Sequence, residues 1–203
     1  MTSPELVTLR PTPDQYAYVF GGRDPLLTVK PGTIVELSTE DCFAGNVKSV
    51  DDLPSEVCTF PFLNPVTGPI AVEGAEPGDT LAVHFVEIVP ARDWAVSVTF
   101  PLFGALTTTT HTAMLHRPLE ERVWMCDIDA AAGVCRFQAR HADFSTELPL
   151  DPMHGTVGVA PAASEVIMSI TPATHGGNMD TRSCGPAPRR TSGSTSRVRC
   201  SRS

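Results

Sequence analysis

No stretch of this 203-residue chain approaches the ~20 consecutive apolar residues that a membrane-spanning helix needs. The opening segment from Met1 to Val7 has neither the basic start nor the apolar run of a secretory signal. Six cysteines occur, at 42, 58, 126, 135, 184 and 200, but no two form a CxxC or a metal-ribbon spacing. They are expected to stay reduced thiols, some buried as small apolar groups, in a cytoplasmic protein. Charge is sparse as well: 19% of residues are Asp, Glu, Lys or Arg, below the roughly 25% of an average domain. What charge there is runs acidic, at −8 net, which argues against nucleic acid or an anionic membrane as partner.

Against these shortages stand 19 prolines and a hydrophobic fraction of 41%. The apolar content suffices for a core and excludes disorder along the whole chain. Prolines spread throughout exclude a helical bundle, because each removes a backbone donor and clashes in a helix interior. Short strands remain. Leu27–Val29 and Ile34–Leu37 flank Pro31-Gly32, and Pro77-Gly78 precedes an apolar, β-branched run over Thr80–Val89; Pro-Gly at these positions predicts tight turns. Val123–Ile128 and Val134–Gln138 read as a hairpin, Val166–Ile170 as a further strand, and Ala113–Arg122 as the one helical turn. The expected fold is mainly β, sandwich- or barrel-like.

The chain is uneven in charge. No acidic residue follows Asp180, and Ser183–Ser203 holds five arginines and six serines. Taking those five from 15 basic residues leaves ten against 23 acidic ones, or −13 for residues 1–182. The tail has too little apolar area to offset its ordering entropy and is expected to be disordered.

Among six histidines, His84, His116 and His141 read as structural or surface groups, and His111 and His154 lie by loops. His175 stands apart because it opens His175-Gly176-Gly177-Asn178-Met179-Asp180 directly after a strand. Two glycines allow close backbone approach. An imidazole, a carboxamide and a carboxylate within six positions can bind a divalent metal, position a water and a small polar substrate, or simply make a turn. A second cluster, Glu40-Asp41 at the end of a strand, offers a metal ligand, a base or a solvated terminus.

Three ordered segments carry a resemblance. Asn64 to Asp79, Gly155 to Pro161 and His175 to Asp180 together resemble the acetamidase/formamidase family, over most of Leu27–Asp180. The resemblance implies a β-rich fold with small mixed α+β parts and hydrolysis of short linear amides to a carboxylate and ammonia. It places His175, Asp180 and Asp41 as catalytic, and Asn64, Gly176, Gly177 and Asn178 against the substrate. It further implies a divalent metal, zinc or similar, held by His175 and Asp180, and a homo-oligomer. The alternative from another class is a non-catalytic β-sandwich that binds a small ligand or serves an assembly.

The same resemblance implies further strands where this chain turns Arg/Ser-rich, so residues 1–182 are expected to be an incomplete domain. Ser196–Ser203 can be encoded as TCC CGG GTG CGC TGT TCT CGC TCG. Read from the third base, that string gives Pro-Gly-Ala-Leu-Phe-Ser-Leu, the continuation the family implies. The expectation is a shifted reading frame near Arg182, with Ser183–Ser203 out of frame and the product poorly folded or inactive. A basic tail binding an acidic partner is the competing reading.

Overall fold

The computed structural model describes residues 5–104, 107, 117–186 and, as backbone, 196–199. In chain order its strands are β1 (Leu6–Leu9), β2 (Val19–Phe20), β3 (Leu27–Val29), β4 (Ile34–Leu37), β5 (Ile70–Val72), β6 (Thr80–Val83) and β7 (Trp94–Thr99). They continue as β8 (Arg122–Asp129), β9 (Val134–Gln138), β10 (Ser145–Pro149), β11 (Thr156–Gly158), β12 (Ile167–Met168), β13 (Gly176–Asn178) and β14 (Ser196–Arg199). One α-helix, α1 (Pro54–Val57), lies among them. The fold is mainly β, as the proline spacing predicts. The described strands make one four-stranded sheet and five two-stranded pairs, and no closed barrel. The chain divides into two units, Met1–Ala44 with Pro61–Ile88 and Met153–Ser203, and Gly45–Phe60 with Val89–Pro152.

The second unit holds the antiparallel sheet β10-β9-β8-β7. The expected hairpin is there: Asp127, Ile128 and Asp129 face Arg136, Cys135 and Val134. Its turn is closed by the Asp129 carboxylate, which accepts from the Ala132 N–H at 2.9 Å, and by Gly133 at φ +69°. Val123 and Val47 are fully buried in this unit. The helical turn expected at Ala113–Arg122 is corrected: 113–116 lie outside the described residues, 117–121 are not helical, and Arg122 starts β8. Among the described residues the α-helix is α1, where Pro54 takes the first turn, a place whose N–H has no intrahelical partner in any case.

In the first unit, Thr33 N–H bonds the Lys30 carbonyl at 3.1 Å with Gly32 at φ +90°, the Pro-Gly turn that the sequence predicts. Its two strands do not pair with each other. β3 runs parallel to β5 and β4 parallel to β1, because an unprimed turn splays its flanking strands apart. The run expected over Thr80–Val89 is strand only to Val83, and that over Val166–Ile170 only at Ile167–Met168. β12 pairs antiparallel with β2, β11 with β13, and β14 with β6. β14 places four residues of the Arg/Ser-rich tail in a ladder; 187–195 and 200–203 lie outside the described residues, as do His111 and His116. Ala17, Val29, Phe43, Leu63 and Cys184 form the apolar core of this unit. The five described cysteines are free thiols. Among the described residues, no helix is long and apolar enough to cross a membrane.

Candidate functional site

Glycine builds the site by what it leaves open. In the β11–β13 ladder, Thr156 faces Asn178, Val157 faces Gly177 and Gly158 faces Gly176. Gly176 and Gly177 have φ of +98° and +93°, a region that side chains with a Cβ avoid. A Cβ at Gly176 would stand 2.5 Å from the Val157 carbonyl oxygen, and one at Gly177 would overlap the Thr171 carbonyl and sit 3.0 Å from His175 Nε2. A Cβ at Gly158 would meet the His175 carbonyl at 2.8 Å and the Phe20 ring at 3.0 Å. Three glycines thus let two strands and one imidazole share a space too small for any side chain between them.

His175 is 2% exposed, and among the described residues neither ring nitrogen has a hydrogen-bond partner. Its ring lies tilted against Phe20, centroids 5.0 Å apart. An unpaired buried polar group costs about 1–3 kcal/mol. Burial pushes its pKa below the ordinary value, since a charged ring is poorly solvated there. At neutral pH it therefore offers one lone pair and one N–H.

Beside it runs a polar chain. Asn64 Nδ2 donates to Thr156 Oγ1 at 2.6 Å and to the Ser169 carbonyl at 3.1 Å. Thr156 Oγ1 in turn donates to Asn178 Oδ1 at 3.0 Å. Ser169, 1% exposed, is tied by its own hydroxyl to the Leu63 carbonyl at 3.2 Å. Asp180 lies at the rim, exposed and at φ +45°. Its N–H bonds the Gly155 carbonyl at 3.0 Å, and its Oδ1 is 2.5 Å from where a Gly155 Cβ would be.

Of the residues nominated by sequence, the structure gathers Asn64, His175, Gly176, Gly177 and Asn178 about β11 and β13, with Asp180 one step along. Asp41 stands in a turn bonded to Asn64. Its carboxylate accepts from the Phe43 N–H at 2.8 Å, closing a turn whose Cys42 carbonyl accepts from the Asn64 N–H at 2.7 Å. The Gly176 N–H, a candidate oxyanion donor, is already bonded to the Ala173 carbonyl at 3.0 Å. Thr156, Ser169, Gly158 and Phe20 carry no role in the sequence reading. Thr156 and Gly158 stand inside the Gly155–Pro161 segment, and Ser169 interrupts an otherwise apolar run; those were the available signals.

The donors for a divalent metal are fewer than a closed site needs. Among the described residues, no three His, Cys, Asp or Glu side chains come together to hold an ion, whereas zinc sites take three or four protein ligands. A zinc held by His175 and Asp180 would therefore need ligands beyond the described residues.

The sequence model of the Acetamidase/Formamidase family matches residues 23–164. No curated protein matches the chain. Among solved structures, an acetamidase from Yersinia enterocolitica is similar at 37% identity and a TM-score of 0.79, over 91% of this chain and 55% of that one. A predicted acetamidase/formamidase from Thermoanaerobacter tengcongensis follows at 33% identity and 0.71, over 90% and 55%. An acetamidase from Bacillus halodurans is 26% identical at 0.75, over 95% and 57%. The chain thus spans little more than half the length of each of these structures.

Proposed function

Because the chain belongs to the acetamidase/formamidase family, we propose that it serves to hydrolyse short linear amides, formamide and acetamide foremost, to a carboxylate and ammonia. The observation that carries this reading is His175, buried among glycines that bring the backbone against it, with both ring nitrogens unpaired among the described residues. A neutral imidazole accepts a proton from water as the oxygen attacks the amide carbon. The carbon becomes tetrahedral, the proton passes to the amide nitrogen, the C–N bond breaks, and ammonia leaves the new carboxyl group. Asp180, exposed at the rim, is the second candidate base, and Asn64 and Asn178 are the groups that orient the substrate. Asp41, whose carboxylate also closes the turn that carries the Cys42 carbonyl, is a third candidate for the catalytic machinery.

Ammonia release from formamide and acetamide tests the reading. His175→Ala and Asp180→Ala are each expected to lower it by a factor of about 100 or more, the usual range for a positioned acid or base. Full activity in both variants would overturn the assignment.

A further inference from the structure

The hydrogen bonds through Asn64, Thr156 and Asn178 run in one direction. The Ser169 backbone oxygen can only accept, so the Asn64 atom 3.1 Å from it is Nδ2. The same Nδ2 reaches Thr156 Oγ1 at 2.6 Å, which makes the hydroxyl an acceptor there. A hydroxyl has a single proton, and Thr156 then directs it to Asn178 Oδ1 at 3.0 Å. Asn178 thus uses its oxygen on Thr156 and keeps its Nδ2 as the remaining donor. Among the described residues, that Nδ2 has no hydrogen-bond partner. A fixed carbonyl at Ser169 is thereby linked, through Asn64 and Thr156, to the atom that Asn178 offers.

We propose that Thr156 is a positioning residue that holds Asn178 with Nδ2 presented as a donor to the carbonyl oxygen of the amide substrate. The proposal rests on the amide-hydrolase reading and extends it. Gly176, whose N–H is bonded to Ala173, cannot supply that donor. A carboxamide supplies it without titrating, and its alignment before the substrate arrives is what makes such a donor effective as charge develops on the oxygen.

Thr156→Val keeps the shape and removes the hydroxyl; Thr156→Ser keeps the hydroxyl. On the full chain, the valine variant is expected to lower kcat for acetamide by about 10- to 100-fold, part of the effect of losing an oxyanion donor, with KM nearly unchanged. Serine is expected to restore most of the rate. Asn178→Asp retains the acceptor oxygen and removes the donor, and is expected to lose kcat at unaltered melting temperature. A valine variant with wild-type kcat would overturn the proposal, as would an active Asn178→Asp. If neither the unsubstituted chain nor its frame-extended form releases ammonia, the hydrolase reading is what has failed, and the positioning is decided by NMR of the 15N-labelled side-chain amides. Shifted Asn178 Nδ2 resonances in Thr156→Val, recovered in Thr156→Ser, support it; unmoved resonances refute it.

Discussion

At positions 32 and 177 the chain uses glycine for two separable reasons. Both have left-handed backbone, at φ +90° and +93°, but around Gly32 a Cβ would meet nothing within 4 Å. Gly32→Ala is expected to cost about 1–2 kcal/mol from backbone strain alone, read from denaturant unfolding. Gly177→Ala adds overlap with the Thr171 carbonyl and a contact on His175 Nε2. It is expected to exceed the Gly32 variant in destabilisation and to abolish ammonia release; equal effects would show that the close approach is unimportant. Burial also matters for His154, packed against Phe85 with ring centroids 5.5 Å apart. Desolvation pushes its pKa below the ordinary 6.5, as it does for His175. The unfolded chain then binds a proton more readily than the folded one, so stability is full above about pH 6.5 and declines as pH falls below it. Melting temperatures between pH 7.5 and 5 check this, and His154→Gln is expected to flatten the decline. The histidine at 175 was legible from its neighbours in sequence, while the demand on Gly158 was not, because it comes from Phe20 and from the His175 carbonyl.

Among the elements, the hairpin β8–β9 follows from local signals: two β-branched runs and an Asp-to-Gly turn that closes on itself. Its depth does not. Val123 is 0% exposed while its neighbours on β8 are half-buried, and Val123→Ala is expected to cost about 2 kcal/mol from lost burial. Chemical denaturation measures that directly, and a change within experimental scatter would remove Val123 from the core. Across the outer ladder, Arg136 bonds Asp129 at 3.1 Å and Glu147 at 2.8 Å. These groups are exposed, and solvent screens them, so Arg136→Ala is expected to leave the melting temperature nearly unchanged. The strand at Val166–Ile170 is shorter than its apolar run for a reason outside the run. Apolar composition marks where a strand can form, but pairing ends where the partner strand ends, and β2 has only two residues to offer β12.

For the whole molecule, the charge contrast between residues 1–182 and the Arg/Ser-rich tail gives the reading-frame expectation a direct check in the nucleotide sequence. A frame shifted near Arg182 should encode Pro-Gly-Ala-Leu-Phe-Ser-Leu, and a chain extended in that frame is expected to release ammonia at least about tenfold faster than the 203-residue chain, on the scale that positioned catalytic groups contribute. Equal rates would remove the expectation. The sequence by itself determined the β class, since prolines forbid long helices and β-branched runs favour strands. It also determined the family and the nomination of His175, Asn64 and Asn178, since these stand in contiguous segments whose order survives in one dimension. Only the tertiary structure decided that β3 and β4 part company after their shared turn, that Asp41 closes a turn, and that Thr156 joins two asparagines from distant segments. Those outcomes depend on which backbone carbonyl lies within about 3 Å of which donor, and that distance is set by packing between segments far apart along the chain.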